Sequence, residues 1–167
     1  MKNVALLFAI TMLFASCLDL RFAQTMPSSA SPISEFPEEL RGTFVSKHNK
    51  DTLRIRVNSV DSANIRLGED HVLKSSGKFY ILNSRKNNLW NVSVIRPCGN
   101  KGFRLYIFDI KDGKKRQTLN NISPLVEVYD EEGSVDYIST NPTDAQFEKM
   151  IKSKALVEID HFKKLKK

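Results

Sequence analysis

The stretch TLRIRV, residues 52–57, decides the fold class of this sequence. Leu53, Ile55 and Val57 alternate with Arg54 and Arg56, and successive side chains of a β-strand point to opposite faces of its sheet. One face of this strand is therefore apolar and the other is charged, which is typical of an antiparallel strand between a core and water. The stretch predicts one strand of an all-β domain, with the three apolar side chains facing inward.

Further stretches between residues 43 and 140 are rich in β-branched and aromatic residues or alternate with period two, and turn residues separate them. The predicted strands are 43–47, 52–57, 63–67, 78–83, 89–96, 103–110, 125–129 and 134–140. The turns HNKD, SSGK, CGNKG and DEEGS supply glycine or asparagine where a positive φ is needed. We predict an all-β, mainly antiparallel fold, a small eight-stranded barrel or sandwich.

The predicted strand FRLYIFDI, residues 103–110, is apolar on both faces and needs a cover on each. A helix further along the chain can supply it, because Thr143 is a suitable N-cap and Gln146 follows three residues later. Apolar side chains then recur at helical spacing, namely Phe147, Met150, Ile151 and Ala155. We predict one C-terminal helix packed on the β-domain, and residues 157–165 after it fit either a last strand or irregular chain.

The N-terminus has the layout of a secretory signal, with Lys2 before the apolar stretch VALLFAITMLF and the small residues Ala15 and Ser16 after it. An apolar stretch of this length is too short for a membrane-spanning helix, which needs about 20 residues. It also lacks the polar face of a helix that packs on a domain surface. We therefore predict export and a signal peptide over residues 1–16.

The end of this signal resembles the lipobox of bacterial lipoproteins, whose usual form is Leu, a small or β-branched residue, then Gly, Ala or Ser, then Cys. Ala15, Ser16 and Cys17 match the pattern, and Phe14 stands in place of the leucine. The resemblance implies lipid transfer to the Cys17 thiol, cleavage before Cys17 and acylation of the new amine. It implies a protein of the bacterial cell envelope, anchored to a membrane by its lipid on either the periplasmic or the surface side.

Two alternatives to lipidation stay open. Ordinary cleavage at a small-x-small site, after Ser16, Cys17 or Ala23, would give a secreted protein. A eukaryotic secreted protein is the wider alternative, because NVS at Asn91 and NIS at Asn121 fit the glycosylation pattern.

The state of Cys98 depends on Cys17, because the sequence contains two cysteines. In an oxidising compartment an unmodified pair invites a disulfide, whereas lipidation of Cys17 leaves Cys98 as a lone thiol. Cys98 stands in the turn RPCGN without a nearby histidine that would favour a reactive thiolate.

Residues 17–35 are rich in Ser, Ala and Pro with little apolar periodicity, which predicts a flexible tether. Residues 36–167 are then long enough for a single β-barrel-like domain with one core and the C-terminal helix. Cleavage before Cys17 removes only Lys2 among the charged residues, so the formal net charge falls from +7 to +6. The basic stretches KDGKKR and HFKKLKK would favour nucleic acid in a cytosolic protein, but export points instead to anionic lipid headgroups or to a merely solvated surface.

The layout of residues 36–167 also resembles the lipocalins, whose first strand carries a Gly-x-Trp motif. Gly42, Thr43 and Phe44 occupy those positions after the acidic turn FPEEL, with Phe44 in place of the tryptophan. The resemblance implies an eight-stranded barrel that holds a small apolar ligand. The residues expected to line its interior are Leu53, Ile55, Trp90 and Val92.

Signals of catalysis are nearly absent. His48, His71 and His161 are far apart in the sequence and lack metal-ligand spacing, and no Gly-rich phosphate loop or nucleophile elbow is present. We predict no catalytic residue, metal or cofactor. The expected function is a lipid-anchored envelope protein that binds a small apolar or anionic ligand, with a structural or protein-interaction lipoprotein as the alternative. An enzyme is the third class, and it would need a pocket with convergent titratable groups.

Overall fold

The computed structural model describes residues 18–165, which form a large, mainly antiparallel sheet and two helices. The strands are β1 (Asp19–Phe22), β2 (Gly42–Ser46), β3 (Thr52–Ile55), β4 (Ser59–Val60), β5 (Ile65–Arg66), β6 (His71–Ser76), β7 (Phe79–Lys86), β8 (Leu89–Pro97), β9 (Gly102–Phe108), β10 (Val126–Tyr129), β11 (Val135–Thr140) and β12 (Leu156–Lys164). The helices are α1 (Gly113–Ile122) and α2 (Asp144–Lys152). The predicted signal peptide and Cys17 lie outside the described residues.

The strands pair in the order β10-β11-β1-β8-β9-β12-β2-β3-β4-β5, while β7 pairs with the other edge of β8 and β6 pairs with β7. β1 runs parallel to β11, and the other strand pairs of the described chain are antiparallel. The predicted all-β, mainly antiparallel class is confirmed. Each of the eight predicted strands overlaps an observed one, and β1, β4, β6 and β12 are additional. The sheet is not closed on itself, so barrel or sandwich stays a prediction.

Strand β3 is shorter than its sequence pattern predicts. It ends at Ile55, and the Arg56 N–H donates to the Ser59 carbonyl in a turn that leads into β4. Ile55 is buried as predicted, but Val57 is 46% exposed. The prediction of an inward Val57 is wrong because the chain has already left the sheet at that residue.

Strand β1 lies in the middle of the sheet, within the segment that the sequence assigns to a tether. Leu20 pairs with Ile138 of β11, and Phe22 pairs with Trp90 of β8. Phe22 is only 1% exposed. The tether prediction is wrong here because two alternating apolar residues suffice for a strand that has partners on both sides.

The segment that follows, residues 23–35, is called the N-terminal strap, and buried polar groups fix it to the sheet. The Asn83 amide bonds reciprocally with the backbone of Met26: Oδ1 accepts from the N–H at 2.7 Å and Nδ2 donates to the carbonyl at 2.9 Å. Lys74 is buried and donates from Nζ to the Pro27 carbonyl at 2.8 Å. Burial lowers the pKa of Lys74, and the nearby Asp144 charge opposes that effect. These polar contacts hold the strap on the sheet, although its sequence lacks apolar periodicity.

The first turn of α2 also holds the strap. Asp144 accepts from the N–H groups of Ser28 at 2.5 Å and Ser29 at 2.9 Å, and from both hydroxyls. Burial alone would raise the pKa of Asp144, but these four hydrogen bonds outweigh it and lower the pKa to about 2. Ser28 and Ser29 of the strap therefore bind a carboxylate of α2.

We expect Asp144→Asn to lower the free energy of unfolding at pH 7 by about 1–2 kcal/mol, because it weakens this charge-assisted contact. The Asp144 pKa is lower in the folded than in the unfolded chain, so the unfolded chain takes up its proton first as the pH falls. The stabilisation is complete above about pH 4, the usual carboxyl range, and it is lost as the pH falls toward 2. Urea unfolding at pH 7 and pH 3 measures both effects. Asp136→Asn removes an exposed charge as the control, and equal losses in the two variants would contradict the contact.

The apolar side chains form two clusters on opposite faces of the sheet. Along β7 and β8, Ile81 and Val94 belong to one cluster while their neighbours Leu82 and Ile95 belong to the other. The first, which we call the helix cluster, is covered by α1 and α2 and contains Phe22, Phe108, Leu119, Phe147, Met150 and Ile151. The second, the sheet cluster, contains Phe36, Leu40, Phe44, Ile55, Leu73 and Phe103.

Helix α2 covers one face of β9, as predicted. Thr143 and Gln146 form the expected capping box, and Phe147 packs on Phe108 of β9 with 6.1 Å between the ring centroids. The four predicted apolar positions, Phe147, Met150, Ile151 and Ala155, are all buried. On the other face of β9, Phe103 belongs to the sheet cluster and Leu105 packs against it, whereas Ile107 is 36% exposed.

The prediction of a single helix is wrong, because α1 forms over residues that the sequence marks only as basic. Asp112 caps it by accepting from the N–H groups of Lys114 and Lys115. Leu119 is its one fully buried side chain, so the helix shows no apolar stripe in the sequence. Residues 156–164 form β12, which decides the choice left open for the end of the chain in favour of a strand.

The sheet forks at β8. One edge of that strand pairs with β1 at Trp90 and Asn91, and the same edge pairs with β9 from Val94 onward. Leu18 lies at the fork beside Val92 and Ser93. The described chain therefore starts within the sheet, between two diverging strands.

Candidate functional site

The four residues predicted to line an apolar interior do not meet. Leu53 and Ile55 pack in the sheet cluster, whereas Trp90 and Val92 belong to the helix cluster on the opposite face. Each pair packs against a core from its own strand. Alternation along a strand does not tell which of two cores a face will meet, and the structure has two cores.

Aromatic rings of the chain itself occupy the sheet cluster. The Phe103 ring centroid lies 5.1 Å from that of Phe44 and 4.9 Å from that of Phe162. Phe36 and Leu40 close the same cluster from the segment before β2 and are buried. Ring-centroid distances of this size are typical of aromatic side chains packed in a filled core.

An open cleft of about 1130 Å³ lies where β2 begins and where β3 and β12 end. We call it the basic cleft, because the cations Arg41, Arg54, Arg56 and Lys164 line it. Its other lining residues are Glu38, Gly42, Thr43, Ile55, Val57, Asn58, Asn100 and Leu165. Exposed Glu38 is the one acidic residue of this lining.

Two of the four cations are held by carboxylates. Arg41 pairs with Glu35 at 2.8 Å and donates from Nε to the Phe36 carbonyl at 2.5 Å. Arg56 pairs with Asp61 at 2.8 Å. Ion pairs of this kind at the surface fix geometry while contributing about 0–1 kcal/mol to stability.

The other two cations, Arg54 and Lys164, have no carboxylate partner among residues 18–165. The Lys164 Nζ lies over the Phe44 ring, 5.5 Å from its centroid. Arg54 is exposed on β3 and points to the face opposite Ile55. Lys164 is opposite Phe44 and Phe44 is opposite Leu53, so Lys164 lies on the sheet-cluster face and Arg54 lies on the other face.

Main-chain bonds at the end of β12 position the cleft. The Leu165 N–H donates to the Thr43 carbonyl at 2.9 Å, and the Lys164 N–H donates to the Lys101 carbonyl at 3.1 Å. Gly42 has a φ of +128°, and a Cβ on it would lie 3.0 Å from Lys164 Cε. The stretch that resembles the lipocalin motif thus serves as the place where the Lys164 side chain crosses β2.

No motif in the sequence marks Arg54 and Lys164 as residues of one cleft. Arg54 followed from the polar face of TLRIRV, and Lys164 belonged to the basic C-terminal stretch, whose last residues 166–167 lie outside the described chain. The pairing of β12 with β2 and of β2 with β3 places both residues beside the cleft, on opposite faces of the sheet, and the sequence left β12 open.

Two of the three histidines, His48 and His161, are far apart in the sequence but line one hollow with Lys47, Glu158, Ile159 and Asp160, whereas His71 is on β6. His71 Nδ1 lies 3.1 Å from the Ser84 hydroxyl, and His161 Nδ1 lies 2.8 Å from Lys47 Nζ. Burial lowers the pKa of His161, and the Lys47 charge lowers it further. His48 is exposed in the turn after β2. Residues 18–165 contain no group of three His, Cys, Asp or Glu side chains arranged to hold a metal ion.

Cys98 is half-buried in the turn between β8 and β9, and its Sγ lies 3.8 Å from the Arg96 carbonyl oxygen. It takes part in no disulfide within the described chain. Between Leu18 and Leu165, neither helix is long and apolar enough to cross a membrane.

No family model, curated protein or solved structure matches this chain.

Proposed function

We propose that the chain is an exported, lipid-anchored protein of the bacterial cell envelope whose β-domain acts by binding rather than by catalysis. One observation supports the mature N-terminus in this proposal: β1 begins at Asp19, two residues after Cys17, and lies between β8 and β11 in the sheet. Cleavage before Cys17 leaves every described strand in the mature protein.

The same strand argues against the alternative cleavage after Ala23. That cut would remove β1, including Phe22, and would leave β8 and β11 without a partner between them. Unpaired backbone groups and an emptied core position each destabilise a domain. The fold therefore supports a mature N-terminus at Cys17 over one at Gln24.

A lipid on Cys17 would hold the domain close to the membrane. Only Leu18 separates Cys17 from β1, and two extended residues span at most about 7 Å. The proposed anchor is therefore a short link at the fork of the sheet instead of a long tether.

The binding role is supported by the basic cleft, whose unpaired cations favour an anionic ligand. An apolar ligand has less support, because the four residues expected to bind it lie on two faces of the sheet. For the strands around the sheet cluster, the proposal keeps a lipocalin-like form. Strands β2 to β9 and β12 all direct apolar side chains into the sheet cluster, as the strands of an open barrel would.

Metabolic labelling with a fatty-acid analogue tests the anchor in bacteria that express the full chain. We expect label and membrane association in the wild type and in Cys98→Ala, and neither in Cys17→Ala. Cys98→Ala is the matched control because it removes the other cysteine. An unlabelled wild type, or labelling that persists in Cys17→Ala, would refute the lipoprotein proposal. The intact mass of the purified protein independently gives the residue at which the mature chain begins.

A structural or protein-interaction lipoprotein is the second candidate, and strand β10 favours it. β10 is at one end of the strand order, and Val126 and Tyr129 on it are 56% and 57% exposed. Edge strands with exposed apolar side chains are sites where other chains add to a sheet.

A further inference from the structure

We infer that a row of basic side chains on one face of the sheet docks on the anionic headgroups of a membrane. The inference rests on the proposed lipid anchor and names the surface of the domain that meets the membrane beside it. We call this surface the basic row, and its members are Arg96 on β8, Arg104 on β9, His161 and Lys163 on β12, and Lys47 directly after β2.

Strand register places the members of the basic row on one side of the sheet. Arg96 is opposite Arg104, and Arg104 is opposite His161. The Lys47 N–H donates to the His161 carbonyl at 3.0 Å, and Lys47 Nζ lies 2.8 Å from His161 Nδ1. Lys163 comes two residues after His161 on β12 and therefore points to the same side. Four neighbouring segments of the chain thus present basic side chains next to one another.

The positive charges of the basic row are poorly offset. Arg104 pairs with Glu158 at 3.2 Å, whereas the other three cations of the row have no carboxylate partner among residues 18–165. Burial lowers the pKa of His161, and the charges of Lys47, Arg104 and Lys163 lower it further, while Glu158 opposes them. Like charges that lie directly opposite each other destabilise a sheet. A negatively charged partner on this face would relieve that repulsion.

The helices leave the cations of the basic row accessible. The row is on the side of the sheet that carries the helix cluster, because Val94 and Tyr106, which pack in that cluster, are each two residues from an arginine of the row. Arg96, Lys47 and Lys163 are nevertheless exposed. Neither helix therefore covers these three side chains.

The extent of the basic row suits a membrane better than a single anion. Neighbouring strands lie about 4.8 Å apart, so the row extends about 14 Å across β8, β9, β12 and the end of β2, and several headgroups can meet it at once. Ile159 is 43% exposed and lines one hollow with Lys47 and His161. Leu165 is 50% exposed and comes two residues after Lys163. Aliphatic side chains beside cations fit the boundary between headgroups and acyl chains.

The proposed anchor lies near one end of the basic row. Leu18 lies at the fork of the sheet beside Ser93 of β8 and Ile107 of β9. Arg96 is three residues from Ser93, and Arg104 is three residues from Ile107, which is about 10 Å along either strand. The lipid would therefore hold the row close to the headgroups, where even a weak contact forms because it is intramolecular.

Lysine acetylation of the exported protein, purified from bacteria that express the full chain and reconstituted into vesicles, tests the inference. One set of vesicles is phosphatidylcholine, and the other contains equal parts of phosphatidylcholine and phosphatidylglycerol. We expect Lys47 and Lys163 to react about fivefold more slowly on the anionic vesicles at low salt, since each cation near an anionic surface favours the bound state by about that factor. High salt should remove the difference. Lys78, exposed in the turn between β6 and β7, is the internal control and should react equally on both sets.

Two double variants test whether the charges of the row cause the slower reaction. Arg96→Gln with Lys163→Gln should abolish the difference at Lys47. Arg66→Gln with Lys78→Gln removes the same charge from exposed positions outside the row and should leave that difference unchanged.

Equal reaction rates of Lys47 on the two sets of vesicles would overturn the inference. Slower reaction in the presence of soluble dextran sulfate, without any effect of the vesicles, would also overturn it, because the row would then bind a soluble polyanion. A chain without fatty-acid label whose Lys47 is still protected by the anionic vesicles would reject only the anchor. A labelled, vesicle-bound chain with unprotected Lys47 would reject only the basic row.

Discussion

Phe22→Ala is expected to lower the free energy of unfolding by about 3–5 kcal/mol, the usual range for a phenylalanine removed from a core. Phe22 is 1% exposed and its ring centroid lies 5.9 Å from that of Phe108 and 5.8 Å from that of Phe147. Truncation would leave a cavity between the sheet and α2. Urea unfolding followed by the fluorescence of Trp90 measures the loss, because Trp90 is the one tryptophan and pairs directly with Phe22.

Tyr129→Ala serves as the control for Phe22→Ala, since it shortens an aromatic side chain that is 57% exposed on the edge strand. Its expected cost is below about 1 kcal/mol. If residues 17–35 were a flexible tether, Phe22→Ala would cost no more than this control. The comparison therefore tests the place of β1 in the fold.

Gly102→Ala is expected to destabilise the domain by about 3 kcal/mol or more, from two independent causes. Gly102 has a φ of +124°, where an alanine is strained by about 1–3 kcal/mol. A Cβ there would also lie 1.9 Å from the Phe162 carbonyl oxygen, so β9 and β12 could not keep their present separation. Urea unfolding gives the magnitude.

Gly77→Ala separates the two causes. Gly77 has a φ of +57° but no heavy atom within 4 Å of the position that a Cβ would take. Its expected cost is the backbone strain alone, about 1–2 kcal/mol. A Gly102→Ala variant as stable as Gly77→Ala would contradict the close approach of Gly102 to β12.

Short sequence patterns were sufficient to predict the helices and strands that depend on neighbouring residues. The capping box of Thr143 and Gln146 and the apolar stripe behind it predicted α2, and alternation predicted most strands. The sequence could not predict β1, because four residues with two apolar side chains become a strand only through distant partners. Phe22 of β1, for example, pairs with Trp90 of β8 and with Thr140 of β11.

The candidate site was less predictable than the fold. Arg54 was correctly placed on the polar face of β3, but the position of Lys164 beside the cleft depends on the pairing of β12 with β2. Helix α1 escaped prediction for a related reason: only Leu119 on it is fully buried, so its stability comes from the Asp112 cap and from packing. In both cases tertiary contacts decide what no short stretch of sequence contains.

The central position of β1 sets the order in which this protein can fold during its synthesis. β1 is the first strand to be made, yet Phe22 pairs with Thr140 of β11, and the strap after it is fastened by Asp144 of α2. Pairing between such distant segments is slow and must wait for the later one to exist. In a chain exported as proposed, the N-terminal residues would therefore stay unfolded while the enzymes that act on Cys17 reach them, and the sheet would be completed only after nearly the whole chain has crossed.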